Sequence, residues 1–408
     1  MSVRNFQQEW CNWEGLLPPS HYIDNGIYLS EDILQQERSK IFGKVWAFLV
    51  HESEIPEPGD YVTTNLGGTP LVVVRDVEGV IRTFLNVCPH RGATLVNSPA
   101  GKSRGFTCLF HQWSFDTTGK CRAVPNPEGF NDVNLSTGDF ALREFRTGQK
   151  LGLIFTTLDD DAGPLEEYLG DIFANVEDVM APYALEVFHF HRIVIPTNWK
   201  LWAATNVELY HVWLHSLNRA SSLKAPHWLE RKPLSYPNGH LAFEPVKLAY
   251  DKGKLGSRDL TLPGLAPNEA RLMHVFPDLL VNIRSSSIRL DRLTPLSAGE
   301  VMVECRGLGI KGESEVDRNR RISEHNEFWG PFGRNLPEDA LAAVFQMRAI
   351  RNGNQPHALC AREPGTTPAL SDEPLRHFYR KWSELMECSS SNASKRVAHP
   401  ESEPAGVV

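Results

Sequence analysis

CPHRG at residues 88–92 and CLFHQW at residues 108–113 decide how this chain is to be read. They place Cys88 with His90 and Cys108 with His111, with 17 residues between the two stretches' ligands. Thiolates and neutral imidazoles are ligands of transition metals. Each stretch follows a short β-like run, where a small β domain would present ligands on a loop. Two chemistries use two Cys and two His. A structural zinc site does so, although zinc fingers usually segregate CxxC from HxxxH. An iron–sulfur cluster with two thiolates on one iron and two imidazoles on the other takes one of each from two opposed loops. The mixed halves favour the cluster, and Pro89 and Gly92 suit the tight turns around it.

The surroundings agree with a small β unit. From Trp46 to Phe155, β-branched runs such as YVTTNL, TPLVVVRD, VIRTFLNV and LGLIFTTL alternate with Gly, Pro, Asp and Asn turns. After DDDAGPLEEYLG at 159–170 the pattern becomes mixed. A strand-like VFHFHRIVI precedes a helix over about 199–217, then strands in HVFPDLLVNIRSSSIRLDRL and VMVECRGLGI, then helices over 314–328, 337–348 and 373–387. This predicts an α+β protein: a small all-β [2Fe–2S] domain over 45–158 and a larger domain over 159–388 with an antiparallel sheet flanked by helices. Residues 1–44, with a helix capped by Ser30, should pack on the larger domain. The polar tail over 389–408 reads as disordered.

Bulk properties exclude several classes. A net charge of −8 argues against nucleic acid as the main partner. Seven cysteines, an odd number and mostly scattered, fit a reducing compartment rather than a disulfide scaffold. No apolar run reaches the roughly 18 residues of a membrane helix, and MSVRNFQQEWCNWEG is no signal sequence, so a cytoplasmic location is expected. AGKS at 100–103 fails as a phosphate loop because Val96 stands where a glycine is required. No GxGxxG is present either, so a nicotinamide or flavin site within the chain is not expected.

NVELYHVWLH at 206–215 holds a second set of candidates. Glu208, His211 and His215 sit at i, i+3 and i+7, within roughly 60° of one another on a regular helix. They read as a salt-bridged helix surface or as a metal site. Beside a one-electron centre, two His and a carboxylate suit Fe(II) with one coordination face left open.

The cluster loops carry none of the extra cysteines that brace respiratory Rieske proteins, and they are similar to those of Rieske ferredoxins and oxygenases. The chain continues far past the point where a ferredoxin would end. Over roughly residues 20–387 it resembles the catalytic α subunit of the Rieske non-heme iron aromatic-ring-hydroxylating oxygenases. SEIPEPGDYVTTNLGGTPLVVVRD, PTNWKLW and GPFGRNLPED share in the resemblance. It implies a [2Fe–2S] cluster on Cys88, His90, Cys108 and His111, and a mononuclear Fe(II) on His211, His215 and a distant carboxylate. That carboxylate falls at Asp339, with Glu338 the competitor. Glu208 would link an iron histidine to a cluster histidine across a subunit boundary, carrying electrons and protons. Electrons would come from NAD(P)H through a separate reductase, with or without a ferredoxin, and O₂ would hydroxylate an aromatic substrate, an aromatic acid or amine being favoured. The assembly would be an α₃ ring or α₃β₃ with a small β subunit.

Three details depart from the family pattern. Three residues rather than the commoner four separate His211 from His215, as in a branch resembling the carbazole and oxoquinoline oxygenases. Position 208 is Glu rather than Asp. Ala204 stands where an Asn is frequent, with Asn206 nearby. Arg284, Arg289 and Arg292 are candidates to meet a substrate carboxylate, or else are structural. Two other functions fit the motifs: a Rieske monooxygenase acting on a non-aromatic amine or by demethylation, and an electron-transfer protein without a mononuclear iron.

Overall fold

The runs between Trp46 and Phe155 pair into one antiparallel sheet of seven strands. Their order is Ala47–His51, Leu153–Thr157, Glu144–Lys150, Ile81–Leu85, Thr69–Arg75, Asp60–Leu66 and Ala100–Lys102. This computed structural model describes residues 22–130, 134, 140–216, 226–248, 260–353, 357–361 and 365–387. The tail expected to be disordered and the helix end expected at 217 lie outside these residues. AGKS forms the sheet's edge strand, with Gly101 against the Tyr61 ring, where a Cβ would lie 2.7 Å from the hydroxyl.

A three-stranded sheet, Gly105–Thr107, Ser114–Asp116 and Cys121–Ala123, carries CLFHQW at its first turn, while CPHRG follows the strand Ile81–Leu85. Val72, Val74, Phe84, Phe106, Trp113 and Phe115 pack with both cysteines in one apolar cluster. Both loops therefore share a floor, each large side chain of which contributes about 1.5–3 kcal/mol by burial.

The second half of the chain builds another seven-stranded antiparallel sheet. Its order is Leu185–Ile195, Glu300–Ile310, Ser287–Ser297, Leu279–Arg284, Glu269–Val275, Leu241–Lys247 and Pro233–Ser235. In Ser287–Ser297 every residue from Ser287 to Pro295 is buried, charged ones included, because both faces of this central strand are covered. Successive side chains alternate between the faces. Arg292 turns toward the first sheet, donating to Thr64 Oγ1 at 2.6 Å and Glu304 at 3.1 Å. Glu304 also receives Arg192 at 2.7 Å, and Arg306 reaches Glu54 at 2.7 Å. Burial opposes charge on Glu304, yet Arg292, Arg306 and Arg192 together hold its carboxyl at about 2. Arg292 thus belongs to the junction between the sheets.

Helices Glu315–Trp329, Leu336–Arg351 and Glu373–Leu385 follow the sheet, and the helix Trp199–Val207 lies among them. Its first turn is fixed by a buried polar knot. Glu37, in the final turn of the Ser30-capped helix, accepts from Lys200 Nζ at 2.6 Å, Trp199 Nε1 at 2.7 Å and Trp382 Nε1 at 2.8 Å. The Lys200 ammonium also lies over the rings of Tyr28, Trp199 and Trp382. Three segments distant in sequence therefore meet at one carboxylate.

Removing one partner of a fully buried ion pair leaves the other uncompensated. Lys200→Met is expected to cost about 3–5 kcal/mol of unfolding free energy, read by urea titration. A loss below about 1 kcal/mol would place the pair with ordinary surface bridges instead.

Candidate iron centres

The two cysteine–histidine loops are built alike. Cys88 N–H donates to Ala93 O and Cys108 N–H to Trp113 O, both at 2.8 Å; Gly92 N–H returns to Cys88 O and Gln112 N–H to Cys108 O, both at 3.0 Å. The residue closing each turn is left-handed, Gly92 at φ 75° and Gln112 at φ 58°. Glycine accepts this freely, while Gln112 has its own side chain bonded to Leu109 O at 3.1 Å. The equivalence of Gln112 to Gly92 has no signal in the sequence.

Both thiols are buried beside one another, and burial with the neighbouring Cys108 thiol pushes Cys88 above the ordinary thiol range. Backbone N–H groups of His90 and Arg91 donate to the Cys88 sulfur, a preparation for thiolate. The His90 and His111 rings are 4.7 Å apart, and His90 stacks on Trp113 at 4.6 Å. His90 Nδ1 is buried and has no protein hydrogen-bond partner. Among the described residues, the one trio of His, Cys or carboxylate ligand atoms within 4.8 Å of one another lies elsewhere. These four therefore do not crowd around a point as ligands of one zinc would, whereas thiols on one side and imidazoles on the other fit a two-iron cluster. The tip of the second loop leaves Leu109 78% and Phe110 63% exposed.

The close trio is His211, His215 and Asp339. Its backbone corrects the helix expected through 217. The α-helix stops at Val207, Glu208 is extended at φ −135° and ψ 161°, and Tyr210–Leu214 form a tighter 3₁₀ turn. Periodicity alone continued the helix, but Glu208 Oε2 accepts the His211 N–H at 3.2 Å and restarts the turn as a cap would. The histidines then converge, with ring centroids 5.4 Å apart.

Each ring is gripped from behind by a carboxylate. His211 Nδ1 meets Glu208 Oε1 at 2.8 Å, and His215 Nδ1 meets Glu338 Oε2 at 2.9 Å. An ionised carboxylate only accepts, so each Nδ1 is the donor and Nε2 is the ring nitrogen left on the Asp339 side. Both Nε2 atoms face Asp339 Oδ1, at 3.7 Å from His211 and 3.3 Å from His215. Glu338 and Asp339 share the first turn of Leu336–Arg351, where the helix dipole favours negative charge. One step along the helix sends them to opposite sides of the His215 ring. Glu338 also accepts from Ser216 N at 3.2 Å and Oγ at 3.0 Å.

Burial opposes charge on all three members of the trio. At His211 the Glu208 carboxylate outweighs burial and carries the ring to about 9. At His215 burial prevails and lowers the pKa, and it raises the Asp339 carboxyl above its usual range. Asp339 Oδ1 is buried without a hydrogen-bond partner. Two imidazole Nε2 atoms and an unpartnered carboxylate oxygen fit one divalent iron with open positions, whose binding would release the proton from His211.

His211 forms a wall between two spaces. An inner cleft is lined by His211, His215 and Asp339 with Asn206, Trp228 and Trp329. Arg284 and Arg289 also reach this cleft, and Arg292 does not. A larger outer groove is lined by Glu208, Tyr210, His211, Leu214 and Leu359. Asn206 lies on the inner side, bonded to Thr205 Oγ1 at 2.9 Å, and Ala204 on the outer.

Comparison with known proteins gives two family matches: a Rieske [2Fe-2S] domain over residues 45–141, and the ring hydroxylating alpha subunit (catalytic domain) over 182–388. The chain is 41% identical to the 2-aminobenzenesulfonate 2,3-dioxygenase subunit alpha of Alcaligenes sp., over 90% of this chain and 94% of that one. It is 34% identical to the methanesulfonate monooxygenase hydroxylase subunit alpha of Methylosulfonomonas methylovora, over 96% and 97%. A naphthalene 1,2-dioxygenase with indole in its active site superposes with a TM-score of 0.75 at 27% identity, covering 91% of this chain and 93% of that one.

Asp339→Asn should reduce bound iron from about three to about two per chain while the visible absorption of the [2Fe–2S] cluster stays unchanged. Glu338→Gln, which only loosens the grip on His215, should retain all three at saturating iron but weaken affinity about 10–100-fold. The reverse result, measured by metal analysis, would exchange the two roles.

Proposed function

This chain belongs to the ring-hydroxylating alpha subunits, with a Rieske domain preceding the catalytic domain, and from that membership we propose that it is the terminal oxygenase of a multicomponent system hydroxylating an aromatic substrate. The observation that carries the reading is the double role of His211: its Nε2 turns to Asp339 and the inner cleft, and its Nδ1 to Glu208 and the outer groove. When bound, the cluster supplies one-electron storage and the mononuclear iron supplies O₂ activation.

The residue assignments are these. Cys88, His90, Cys108 and His111 hold the cluster. His211, His215 and Asp339 hold the single iron. Glu208 and Glu338 keep each imidazole in the tautomer that presents Nε2, and Glu208 also holds a proton at His211 Nδ1 on the groove side. The chain divides into an N-terminal segment to 44, a Rieske domain over 45–158 and a catalytic domain over 159–388. Support comes from the strand Leu153–Thr157 pairing within the first sheet and from Glu37 reaching Lys200 and Trp382.

Electrons arrive from a separate reductase, directly or through a ferredoxin. The groove beside Glu208 is the place for a neighbouring copy's cluster loop. Tyr210 and Leu359 expose apolar surface there, and Leu109 and Phe110 expose it at the cluster tip. A heterologous contact of this kind closes into a ring, α₃ or α₃β₃. No helix among the described residues is long and apolar enough to cross a membrane, and we place the enzyme in the cytoplasm.

The substrate we favour is an aromatic acid: one relative is named for an aminobenzenesulfonate, and a second, named for methanesulfonate, shares the acid but not the ring. Insertion of a single oxygen atom is the second reading, favoured by the relative named a monooxygenase. Turnover under ¹⁸O₂ separates them: two labelled atoms in one product mean dioxygenation, one means monooxygenation. Glu208→Gln should keep both metal centres filled yet lower steady-state turnover roughly 100-fold or more. Full activity in that variant would remove Glu208 from the electron and proton route.

A further inference from the structure

The cluster tip and the outer groove carry opposite charge. Residues 88–92 and 108–113 hold one arginine, Arg91, and no acid. Arg91 directly follows His90, is exposed, and has no ion-pair partner among the described residues. Its backbone N–H is committed to the Cys88 sulfur, so the loop fixes the base of a side chain that itself lies outside. The groove holds two carboxylates, Glu208 and Asp372, and no lysine or arginine among its described lining residues.

Asp372 stands immediately before the helix Glu373–Leu385, and its Oδ2 accepts the Ala361 N–H at 2.6 Å. That bond joins two segments of the groove wall and holds the carboxylate in place. Burial keeps its carboxyl above the usual carboxylate range and the Glu208 charge adds to this, against the Ala361 N–H and the Arg376 guanidinium. Two like charges near one another favour a cation brought from outside. Leu201, Leu359 and Leu375 add apolar wall beside them. The tip offers the counterpart of both features, since Leu109 and Phe110 stand exposed on the loop adjoining Arg91.

The same pattern decides which contacts between copies can form. Two tips face to face set arginine against arginine, and two grooves set carboxylates against carboxylates. Tip against groove joins opposite signs, and that contact is heterologous. A closed ring satisfies every tip and every groove, whereas a two-fold pairing of tips or of grooves satisfies neither.

We propose that the groove takes the cluster tip of a second copy of this chain, held by an ion pair between the Arg91 guanidinium of one copy and the Asp372 carboxylate of the next. This rests on the reading of Glu208 as the link to a neighbouring cluster, and adds what seats the loop beside it. Arg91 and Asp372 are positioning residues: their pair sets the rotation of the tip in the groove and leaves Glu208 to the histidines.

Sedimentation of the cluster-loaded protein over a dilution series reads the concentration at which the assembly half-dissociates. Arg91→Glu should raise that concentration about 10-fold or more, as should Asp372→Arg, with the visible absorption of the cluster unchanged. Both reversals in one chain should return it to within about 3-fold of the wild type. Added sodium chloride should weaken the wild-type assembly and strengthen that of Arg91→Glu, because screening relieves repulsion as well as attraction. If near-ultraviolet circular dichroism shows Asp372→Arg unfolded, Arg91→Gln and Asp372→Asn replace the reversals, and together they should cost no more than either alone. A double reversal no better than Arg91→Glu, or neutral variants whose costs add, overturns the pair. An assembly indifferent to Arg91→Glu and to Asp372→Arg sinks the pair and leaves the ring standing. A wild-type chain that stays monomeric with its cluster intact sinks the ring reading, and the pair with it.

Discussion

The buried Glu37 carboxylate governs how the iron residues are presented. It binds the first two residues of the helix Trp199–Val207 and a tryptophan of the last described helix, so that helix can neither rotate nor slide. Nine residues later the chain must release Glu208 to one side of His211 and keep His215 on the other. A buried charge is a costly anchor, and its use here is consistent with the need for one defined orientation rather than with stability alone.

Both imidazoles are treated alike in chemistry and differently in place. Glu338 is drawn from the same helical turn as Asp339, accepts also from Ser216, and grips His215 away from the outer groove. Glu208 grips His211 from a groove open to the surface. Two carboxylates that look equivalent as hydrogen-bond acceptors thus differ in the space they border, and its place in the wall of the outer groove is what suits Glu208 to meet another molecule.

How much of this could be read in the residues depended on how local the cause was. The residues proposed to hold the cluster lie in two short loops between β-branched runs, and their types and spacing carried the Rieske reading before any contact was known. The second sheet and its helices were likewise legible as an α+β pattern. The helix stop at Val207 was not, because the apolar spacing continues and the break depends on one side-chain bond from Glu208 to the His211 backbone. Glu338 and Asp339 could not be separated by sequence either, since neighbours on a helix differ here only in which ring nitrogen they approach. Arg284, Arg289 and Arg292 read alike on their strands, yet two reach the cleft and the third ties the sheets together, because the strand Ser287–Ser297 is covered on both faces.

The bare Leu109 and Phe110 at the cluster tip have a consequence for how the enzyme behaves when diluted. If electrons reach His211 only from a neighbouring copy, a lone chain holds a reducible centre and an oxygen-activating centre that are not in circuit. Specific activity is then a property of concentration, governed by mass action on ring closure, and it falls on dilution while every chain remains folded. The same apolar tips, stripped of their partner, become the adhesive surface of the isolated chain.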